Sequence, residues 1–297
     1  MTHFALIFPG QGSQSIGMLS HLSEQFPQVQ TLFSDASDVL HYDLWQLVQQ
    51  DAEKLNQTEF TQPALLAADV AIYECWKLSS TNTPQFLAGH SLGEYAALVC
   101  ASALTFQDAI ALVAARGKYM QAAVPNGVGA MAAIVGLDDD VVIQICDAAS
   151  SIGIVSPANF NSIGQIVIAG ESHAIEKAIA LAQEKGAKIA KKIPVSVPSH
   201  CALMQPAANQ MAEELKLVEI KKPLIPVIQN ADVAFYEAPE KIRDALIRQL
   251  TFPVRWVETI QYMINKDVKK FLECGPGKVL SGLNKRISRD IVTENLG

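Results

Sequence analysis

The pentapeptide G-H-S-L-G at residues 89–93 is the feature that most constrains this chain. The apolar run at 85–89 predicts a buried strand in front of it, and residues 91–102 follow with the pattern of a helix. G-x-S-x-G at a strand-to-helix turn is a nucleophile elbow, in which the serine oxygen is exposed and the start of a helix faces the reacting group. The sequence therefore predicts an α/β fold with Ser91 as a nucleophile. A purely structural serine is the alternative, because the pentapeptide also occurs without catalysis.

The order of the predicted elements divides the chain into two units. Residues 3–8 form an apolar run that predicts a first buried strand. Between residues 127 and 197 the pattern becomes strand, helix, strand, strand, helix, strand, which is the ferredoxin-like order. We therefore expect an inserted ferredoxin-like subdomain at 127–197 and a discontinuous large α/β domain at 1–126 and 198–297. The insert's strands are predicted at 128–135, 153–159, 165–169 and 188–195, and its helices at 138–149 and 172–185.

Composition narrows the class of protein. Hydrophobic residues make up 49% of the chain and charged residues 18%, which favours a globular protein over a disordered one. No apolar run approaches the roughly 18 residues of a membrane span, and the first run is too short for a signal peptide. We therefore expect no membrane association and a cytoplasmic location. The pI near 5.4, without a basic stripe, argues against nucleic-acid binding.

Charge is unevenly distributed along the chain. Residues 1–150 hold 4 Lys and Arg against 15 Asp and Glu, whereas residues 151–297 hold 19 against 15. Two basic clusters in the second half could attract an acidic partner. Ordinary solvated side chains are the alternative for each cluster. The clusters are Lys188, Lys191 and Lys192, and Lys285, Arg286 and Arg289.

The spacing of cysteine and histidine gives no support to a metal site. The five cysteines form no C-x-x-C pair, and the six histidines form no H-E-x-x-H. We expect no bound metal, and we expect most cysteines to be small buried apolar residues.

His200 is the best candidate for the general base that a nucleophilic serine needs. It lies in V-P-S-H-C at 197–201, a proline-stiffened loop where the chain returns to the large domain. A capping or otherwise satisfied loop histidine is the alternative. His90 follows the strand directly and is expected to be structural or to line a pocket. The remaining histidines, His3, His21, His41 and His173, lie in a strand start or in polar helical stretches.

Arg116 lies on the apolar face of a helix predicted at 106–123. It continues the series Ala109, Leu112, Val113 and Met120, which recurs with helical spacing. An arginine left unpaired there would cost about 3–5 kcal/mol, so it needs an anion. The sequence leaves two partners open. One is a structural carboxylate such as that of Asp69 or Glu74, and the other is a substrate carboxylate, which a planar guanidinium binds with two hydrogen bonds.

The loop G-Q-G-S-Q at 10–14 follows the first strand and invites a nucleotide-binding interpretation. It fails both glycine-rich motifs, because Ser15 stands where the third glycine should be and Met18 where the phosphate-binding lysine should be. Backbone amides in such a loop could still face a ligand, as an oxyanion hole requires.

Five segments together resemble one enzyme family. They are FPGQGSQ at 8–14, GHSLGEY at 89–95, Arg116-Gly117, VPSH at 197–200 and GPG at 275–277. In this order, and over almost the whole chain, they resemble the malonyl-CoA:acyl-carrier-protein transacylases of bacterial fatty-acid synthesis. The resemblance implies a hydrolase-like large domain with a central, mainly parallel sheet and a ferredoxin-like insert.

The resemblance also implies a ping-pong acyl transfer. Ser91 would attack malonyl-CoA, release coenzyme A and carry a malonyl ester until the phosphopantetheine thiol of the acidic acyl carrier protein removes it. His200 would be the general base, the amides of Gln11 and Leu92 the oxyanion hole, and Arg116 the partner of the malonyl carboxylate. No permanently bound cofactor is implied.

Two further expectations come from the same resemblance. The family orients its histidine with a backbone carbonyl instead of an acidic side chain, and Gln249 matches that position. In related acyltransferases the residues before the histidine correlate with malonyl or methylmalonyl choice. The small Ser199 does not decide by size, and the resemblance favours malonyl. Oligomeric state is left open, a monomer being one compatible state.

Two other functions compete with acyl transfer. A serine thioesterase or esterase would use the same elbow and histidine with water as the acceptor. A non-catalytic module that binds carrier protein would need neither. The fate of an acyl group on Ser91 separates the three.

Overall fold

The computed structural model describes residues 3–195 and 197–297, and its largest sheet passes through the centre of the protein. This sheet has the strand order β10-β9-β1-β2-β7-β8. Its strands pair in parallel, except that β8 is antiparallel to β7. In the described part of the chain the strands are β1 Phe4–Phe8, β2 Phe86–Gly89, β3 Gly129–Val135, β4 Val155–Ser162, β5 Gln165–Glu171, β6 Ile189–Lys192, β7 Val227–Gln229, β8 Ala234–Phe235, β9 Lys270–Glu273 and β10 Val292–Asn295.

Most helices of the protein cover the two faces of this sheet, and two others pack instead on a second, smaller sheet. In the described ranges they are α1 Ser20–Gln25, α2 Gln28–Leu40, α3 Leu44–Gln50, α4 Ala52–Leu55, α5 Thr58–Ser79, α6 Gly93–Cys100, α7 Phe106–Ala123, α8 Asp139–Ala149, α9 Ser172–Glu184, α10 Gln205–Leu217, α11 Pro239–Gln249, α12 Trp256–Asn265 and α13 Val279–Ile287, with a short 3-10 helix Ala202–Met204. The helix predicted at 106–123 has these bounds in α7.

The central strand β1 is buried on both sides, as its uninterrupted apolar sequence predicts. Because successive side chains of a strand point to opposite faces, Phe4, Leu6 and Phe8 join the core beneath α2, α5, α6 and α7. Ala5 and Ile7 join the core beneath α12 and α13. The prediction of an α/β fold with a mainly parallel central sheet is confirmed.

A second sheet has four antiparallel strands in the order β4-β5-β3-β6. Helices α8 and α9 contribute Ile145, Cys146, Ile175 and Ala178 to the core on one face of it. The sequence order is therefore β3-α8-β4-β5-α9-β6. This order supports our proposal of a ferredoxin-like subdomain at 127–197, with Ser196 outside the described residues.

Several element bounds differ from the sequence-based expectations. Strand β4 is longer, ending at Ser162 instead of residue 159, and β6 is shorter, ending at Lys192 instead of residue 195. Strand β10 was not predicted, because the segment V-T-E-N carries no apolar run. It forms by pairing with β9 at the edge of the sheet.

Candidate active site

Ser91 lies in a sharp turn between β2 and α6. Its φ of 53° is left-handed, which costs a non-glycine residue about 1–3 kcal/mol and persists where the surroundings hold it. The helix therefore begins at Gly93, not at Ser91 as the sequence suggested. A β-carbon on Gly89 would overlap the backbone of Gly93, and one on Gly93 would overlap the carbonyl of Phe8. The two glycines of the pentapeptide are thus required by close packing.

His200 stands directly beside the serine. Its Nε2 is 2.8 Å from Oγ of Ser91, and its Nδ1 is 2.7 Å from the carbonyl oxygen of Gln249. Since a carbonyl only accepts, Nδ1 carries the proton and Nε2 is free to accept one from the serine. His200 is 3% exposed and also has a left-handed φ, 62°. The arrangement is that of a nucleophile, a base and a group that orients the base.

Burial is the main cause that lowers the pKa of His200, to about 3, and the positive charge of Arg116 adds to it. The hydrogen bond to the Gln249 carbonyl acts in the opposite direction. The imidazole is consequently neutral at neutral pH, which is the form that accepts a proton.

Arg116 extends from α7 into the same site and is 1% exposed. Its Nη1 donates to Oε1 of Gln62 at 2.8 Å, and its Nη2 donates to Oε1 of Gln249 at 2.9 Å and to Oγ of Ser91 at 3.2 Å. The guanidinium also lies 5.7 Å from the centre of the Tyr95 ring. These partners are neutral.

Arg116 does not pair with Asp69 or Glu74, the two carboxylates that the sequence left open as structural partners. In residues 3–195 and 197–297, no carboxylate oxygen lies within ion-pair distance of the guanidinium. Glu74 pairs with Lys77 instead, at 3.2 Å. Asp69 is fully buried, and its two carboxylate oxygens have no hydrogen-bond partner among the described residues. The site therefore presents a buried cation with no carboxylate of the described residues in ion-pair contact, next to Ser91.

The two expected oxyanion amides belong to adjoining segments. Leu92 directly precedes α6, so its N–H lies at a helix N-terminus. The loop that follows β1 approaches the Leu92 amide closely, since a β-carbon on Gly10 would lie 3.7 Å from the Leu92 nitrogen. Gln11 and Leu92 line one cavity with Ser91. No protein group in the described chain accepts either backbone N–H.

The cavity encloses about 200 Å³ between the two sheets. One wall comes from the elbow and α7, with Ser91 and Arg116, and the opposite wall comes from the second sheet, with Met131, Asn161 and Val167. His90 lines it as well, and its Nε2 is 2.8 Å from Oδ1 of Asn161. A largely apolar cleft with a few convergent polar groups is the usual form of a small-molecule site.

Several polar residues of the site were missed from the sequence. Gln249 was expected through its backbone, but its side chain also donates from Nε2 to the Ser91 carbonyl at 3.0 Å. Gln62 is a polar residue within an apolar stretch of α5, and this could have marked it. Asn230 follows β7 at the same sheet edge as Ser91, where polar residues after parallel strands meet.

The expected basic clusters are exposed. Lys191 and Lys192 lie on β6, whose chain continues into the cavity-lining Ile193 and Val195. Lys192 pairs with Glu176 at 2.7 Å. Arg286, in the second cluster, donates to Oε1 of Gln165 at 2.5 Å.

The described residues, 3–195 and 197–297, offer neither a metal site nor a membrane-spanning helix. They contain no group of three His, Cys, Asp or Glu side chains that could hold a metal ion. They also contain no helix that is both long and apolar enough to span a membrane. All five cysteines are buried and free.

Comparison with known proteins gives one consistent result. The family model described as "Acyl transferase domain" matches residues 5–290. The malonyl CoA-acyl carrier protein transacylase of Haemophilus influenzae is 56% identical over 293 residues, which are 98% of this chain and 94% of that protein.

Solved structures agree in fold. The malonyl CoA-acyl carrier protein transacylase of Coxiella burnetii superposes with a TM-score of 0.98 at 54% identity, covering 99% of this chain and 94% of that one. A malonyl-transacylase solved in complex with its type II PKS acyl-carrier protein has a TM-score of 0.97 at 52% identity, covering 99% and 96%. The resemblance seen in the five sequence segments is confirmed. The chain therefore belongs to the acyl transferase domain family and, within it, to the malonyl CoA-acyl carrier protein transacylases.

Proposed function

We propose that this chain moves the malonyl group of malonyl-CoA to the phosphopantetheine thiol of acyl carrier protein through a malonyl ester on Ser91. One observation carries the proposal. The buried guanidinium of Arg116 lies 3.2 Å from Oγ of Ser91 and has only neutral partners. A malonyl thioester has a reactive carbonyl at one end and a carboxylate at the other, so it fits a nucleophile beside a cation that no carboxylate of the described chain contacts.

In the first half-reaction, Oγ of Ser91 attacks the thioester carbonyl carbon while its proton passes to Nε2 of His200. The carbonyl oxygen becomes an oxyanion, which the backbone amides of Gln11 and Leu92 are in position to stabilise. When the carbon–sulfur bond breaks, His200 returns the proton to the sulfur of coenzyme A. The product is a malonyl ester on Ser91 and a free thiol.

The second half-reaction is the same chemistry with another thiol. The phosphopantetheine thiol of the carrier protein gives its proton to His200 and attacks the ester carbonyl. Collapse of the intermediate breaks the carbon–oxygen bond, and His200 returns the proton to Oγ of Ser91. The solved complex of a related malonyl-transacylase with its carrier protein supports this acceptor.

The carbonyl of Gln249 keeps the base in the correct tautomer. It accepts from Nδ1 of His200 at 2.7 Å. It carries no full charge, so it stabilises an imidazolium less than a carboxylate would. Binding of a substrate carboxylate to Arg116 offsets one cause of the lowered His200 pKa. His200 thus becomes a stronger base when an acyl group with a carboxylate is bound.

The acidic carrier protein would approach the exposed lysines of β6, because their chain leads into the cavity wall. Steering by such a cluster raises association rates at low salt. We also propose that the protein works in the cytoplasm without a permanently bound cofactor, with malonyl-CoA and coenzyme A as substrate and product.

A partition experiment tests the function. The protein is first incubated with radiolabelled malonyl-CoA, passed through a desalting column, and then mixed with buffer or with holo acyl carrier protein. Label that stays on the protein in buffer and moves to the carrier thiol supports transfer. If the label is released as free malonate in buffer alone, as fast as it is lost in the presence of carrier protein, the protein is a hydrolase. If the parent protein takes up no label, a carrier-binding module is favoured.

A further inference from the structure

The backbone of Ser91 is held by a group that the catalytic scheme does not include. Oδ1 of Asn230 accepts from the Ser91 N–H at 2.7 Å, and Nδ2 of Asn230 donates to the Gly89 carbonyl at 2.6 Å. One fully buried side-chain amide therefore joins the last residue of β2 to the nucleophile. It spans the part of the chain in which the left-handed Ser91 turn forms.

The parallel sheet brings Asn230 to this point. Strand β7 lies beside β2 with Leu87 opposite Val227 and Ala88 opposite Ile228. If this register is continued by two residues, Asn230 comes beside the elbow. Asn230 is the first residue after β7, so the pairing of β7 with β2 sets its position beside the elbow.

Glu94 holds Asn230 in turn. It lies in the first turn of α6 and is fully buried. Its Oε2 accepts from the backbone N–H of Asn230 at 2.7 Å. Its Oε1 has no hydrogen-bond partner among the described residues. Burial raises the pKa of Glu94 to about 7, against the effects of the Asn230 N–H, the Gln249 side chain and Arg116.

We propose that Asn230, anchored by the carboxyl group of Glu94, is a positioning residue that holds the Ser91 backbone in the conformation from which its oxygen attacks the thioester. This inference rests on the proposed function and deepens it. Gln249 complements Asn230, because its Nε2 donates to the Ser91 carbonyl at 3.0 Å. The N–H and the carbonyl of the nucleophile are each held by a side-chain amide.

The chemistry of the contact requires an amide at position 230. The Ser91 N–H needs an acceptor and the Gly89 carbonyl needs a donor, and asparagine supplies both. An ionised aspartate has almost the same shape but supplies only acceptors, so one of its oxygens would face the Gly89 carbonyl. Asn230→Asp thus removes the donor with little change in volume.

The test measures the single-turnover rate at which malonyl-CoA acylates Ser91, by rapid quench and intact mass. Binding of malonyl-CoA is measured separately in a Ser91→Ala background, and folding by melting temperature. We expect Asn230→Asp to acylate at least about tenfold more slowly than the parent with unchanged malonyl-CoA affinity, since small misplacements of reacting groups cost about that much or more.

Asn284→Asp is the matched control. Asn284 is equally buried, accepts from the Trp256 ring N–H at 3.1 Å and donates to Oγ1 of Thr293 at 3.2 Å. The same substitution therefore removes one buried donor away from the elbow. We expect this control to acylate at the parent rate. If both variants lose acylation, affinity and melting temperature together, the role of Asn230 is only structural and the inference is wrong.

Two variants of Glu94 test the anchor. Glu94→Gln keeps an oxygen that accepts from Asn230, so we expect acylation within about threefold of the parent, whereas Glu94→Leu leaves that N–H buried and unpaired and should resemble Asn230→Asp. Equal loss in both Glu94 variants would contradict the anchoring role. An Asn230→Asp protein that acylates at the parent rate would overturn the inference while leaving the function intact, and a parent that forms no Ser91 adduct would overturn the function itself.

Discussion

Nη2 of Arg116 donates to Oγ of Ser91 at 3.2 Å, so the proposed binding cation and the proposed nucleophile are in direct contact. An acyl chain attached to Ser91 can reach the guanidinium only if its carboxylate is a short distance from the carbonyl. Malonyl, with a single carbon between the two groups, meets this requirement. The contact therefore links the identity of the acyl group to the position of a single side chain.

Arg116→Ala should abolish the preference for an acyl group with a carboxylate. Loss of one partner of a buried charge pair costs about 2–5 kcal/mol, so malonyl transfer should fall by roughly thirtyfold or more. Acetyl transfer should fall far less. Initial rates with malonyl-CoA and acetyl-CoA measure this preference.

The control for this substitution is Arg243→Ala. Arg243 is half-buried on α11 and donates to the Leu215 carbonyl at 2.7 Å. The Arg243→Ala substitution should leave the preference for malonyl over acetyl unchanged. An equal loss of both acyl groups in Arg116→Ala, with a lower melting temperature, would show that Arg116 serves stability and not substrate binding.

The reaction of Ser91 should stay fast at a pH where an ordinary histidine is protonated. Burial and Arg116 lower the pKa of His200 to about 3, so the imidazole remains a base when pH falls below 6.5. We expect the rate of modification by a neutral fluorophosphonate to stay nearly constant between about pH 7 and pH 5. Time courses of inactivation across this range provide the measurement.

In Arg116→Leu, the fall in modification rate at acidic pH should begin at a higher pH than in the parent. The substitution removes the positive charge that helps to lower the pKa of His200. The fall should remain below pH 6.5, since burial is the larger cause and persists. A parent enzyme that loses half its rate near pH 6.5 would contradict the buried, neutral state of His200.

Lys188, Lys191 and Lys192 should contribute to carrier-protein binding mainly at low ionic strength. Replacing all three with alanine should weaken binding in dilute buffer, and the difference from the parent should shrink as salt screens the attraction. Calorimetry or surface plasmon resonance at several salt concentrations gives the comparison.

A second triple variant controls for net charge. Lys216, Lys221 and Lys222 are also exposed, and each pairs with a glutamate, at 2.7, 3.5 and 2.8 Å. Their replacement makes the same change in net charge, at the last turn of α10 and in the segment that follows it. If both triple variants bind carrier protein equally well, the docking surface lies elsewhere.

Asp69 should make the protein less stable as pH rises. It is fully buried with both carboxylate oxygens unpaired among the described residues, and burial, followed by the nearby Glu273, raises its pKa well above the usual range. The folded state therefore keeps a proton that the unfolded state releases above about pH 4. Between these two pKa values the unfolded state binds fewer protons, so the free energy of unfolding falls with increasing pH.

Asp69→Asn removes this dependence. The stability of the variant relative to the parent should increase by up to about 1.4 kcal/mol per pH unit above pH 4. Urea unfolding at several pH values measures the difference. A constant difference between the two proteins would mean that Asp69 is ionised in the fold.

The sequence predicted those parts of the site that depend on local pattern. Strand, turn and helix around Ser91, the loop position of His200 and the apolar-face position of Arg116 could all be read from spacing. The hydrogen-bond partners of these side chains could not be predicted in this way, because each partner lies many residues away in the sequence. The partners of Arg116 are Gln62 and Gln249, two neutral amides, and no rule of spacing connects them to it.

Backbone conformation explains the remaining differences. The left-handed φ of Ser91 moves the start of α6 to Gly93, although residues 91–102 have a continuous helical pattern. Glu94, an acid in the first turn of α6, is buried because α6 packs between the sheet and α5. A carboxylate in that position becomes part of the support of the site, which sequence pattern alone does not reveal.

The central claim is that Ser91 carries an acyl group whose free carboxylate lies on Arg116. Peptide mapping by mass spectrometry after brief incubation with malonyl-CoA tests it most directly, with Ser91→Ala as the blank. The account predicts one malonyl group per chain, located on Ser91 and much reduced in Arg116→Ala. A malonyl group on another residue, or equal labelling of Ser91→Ala, would contradict it.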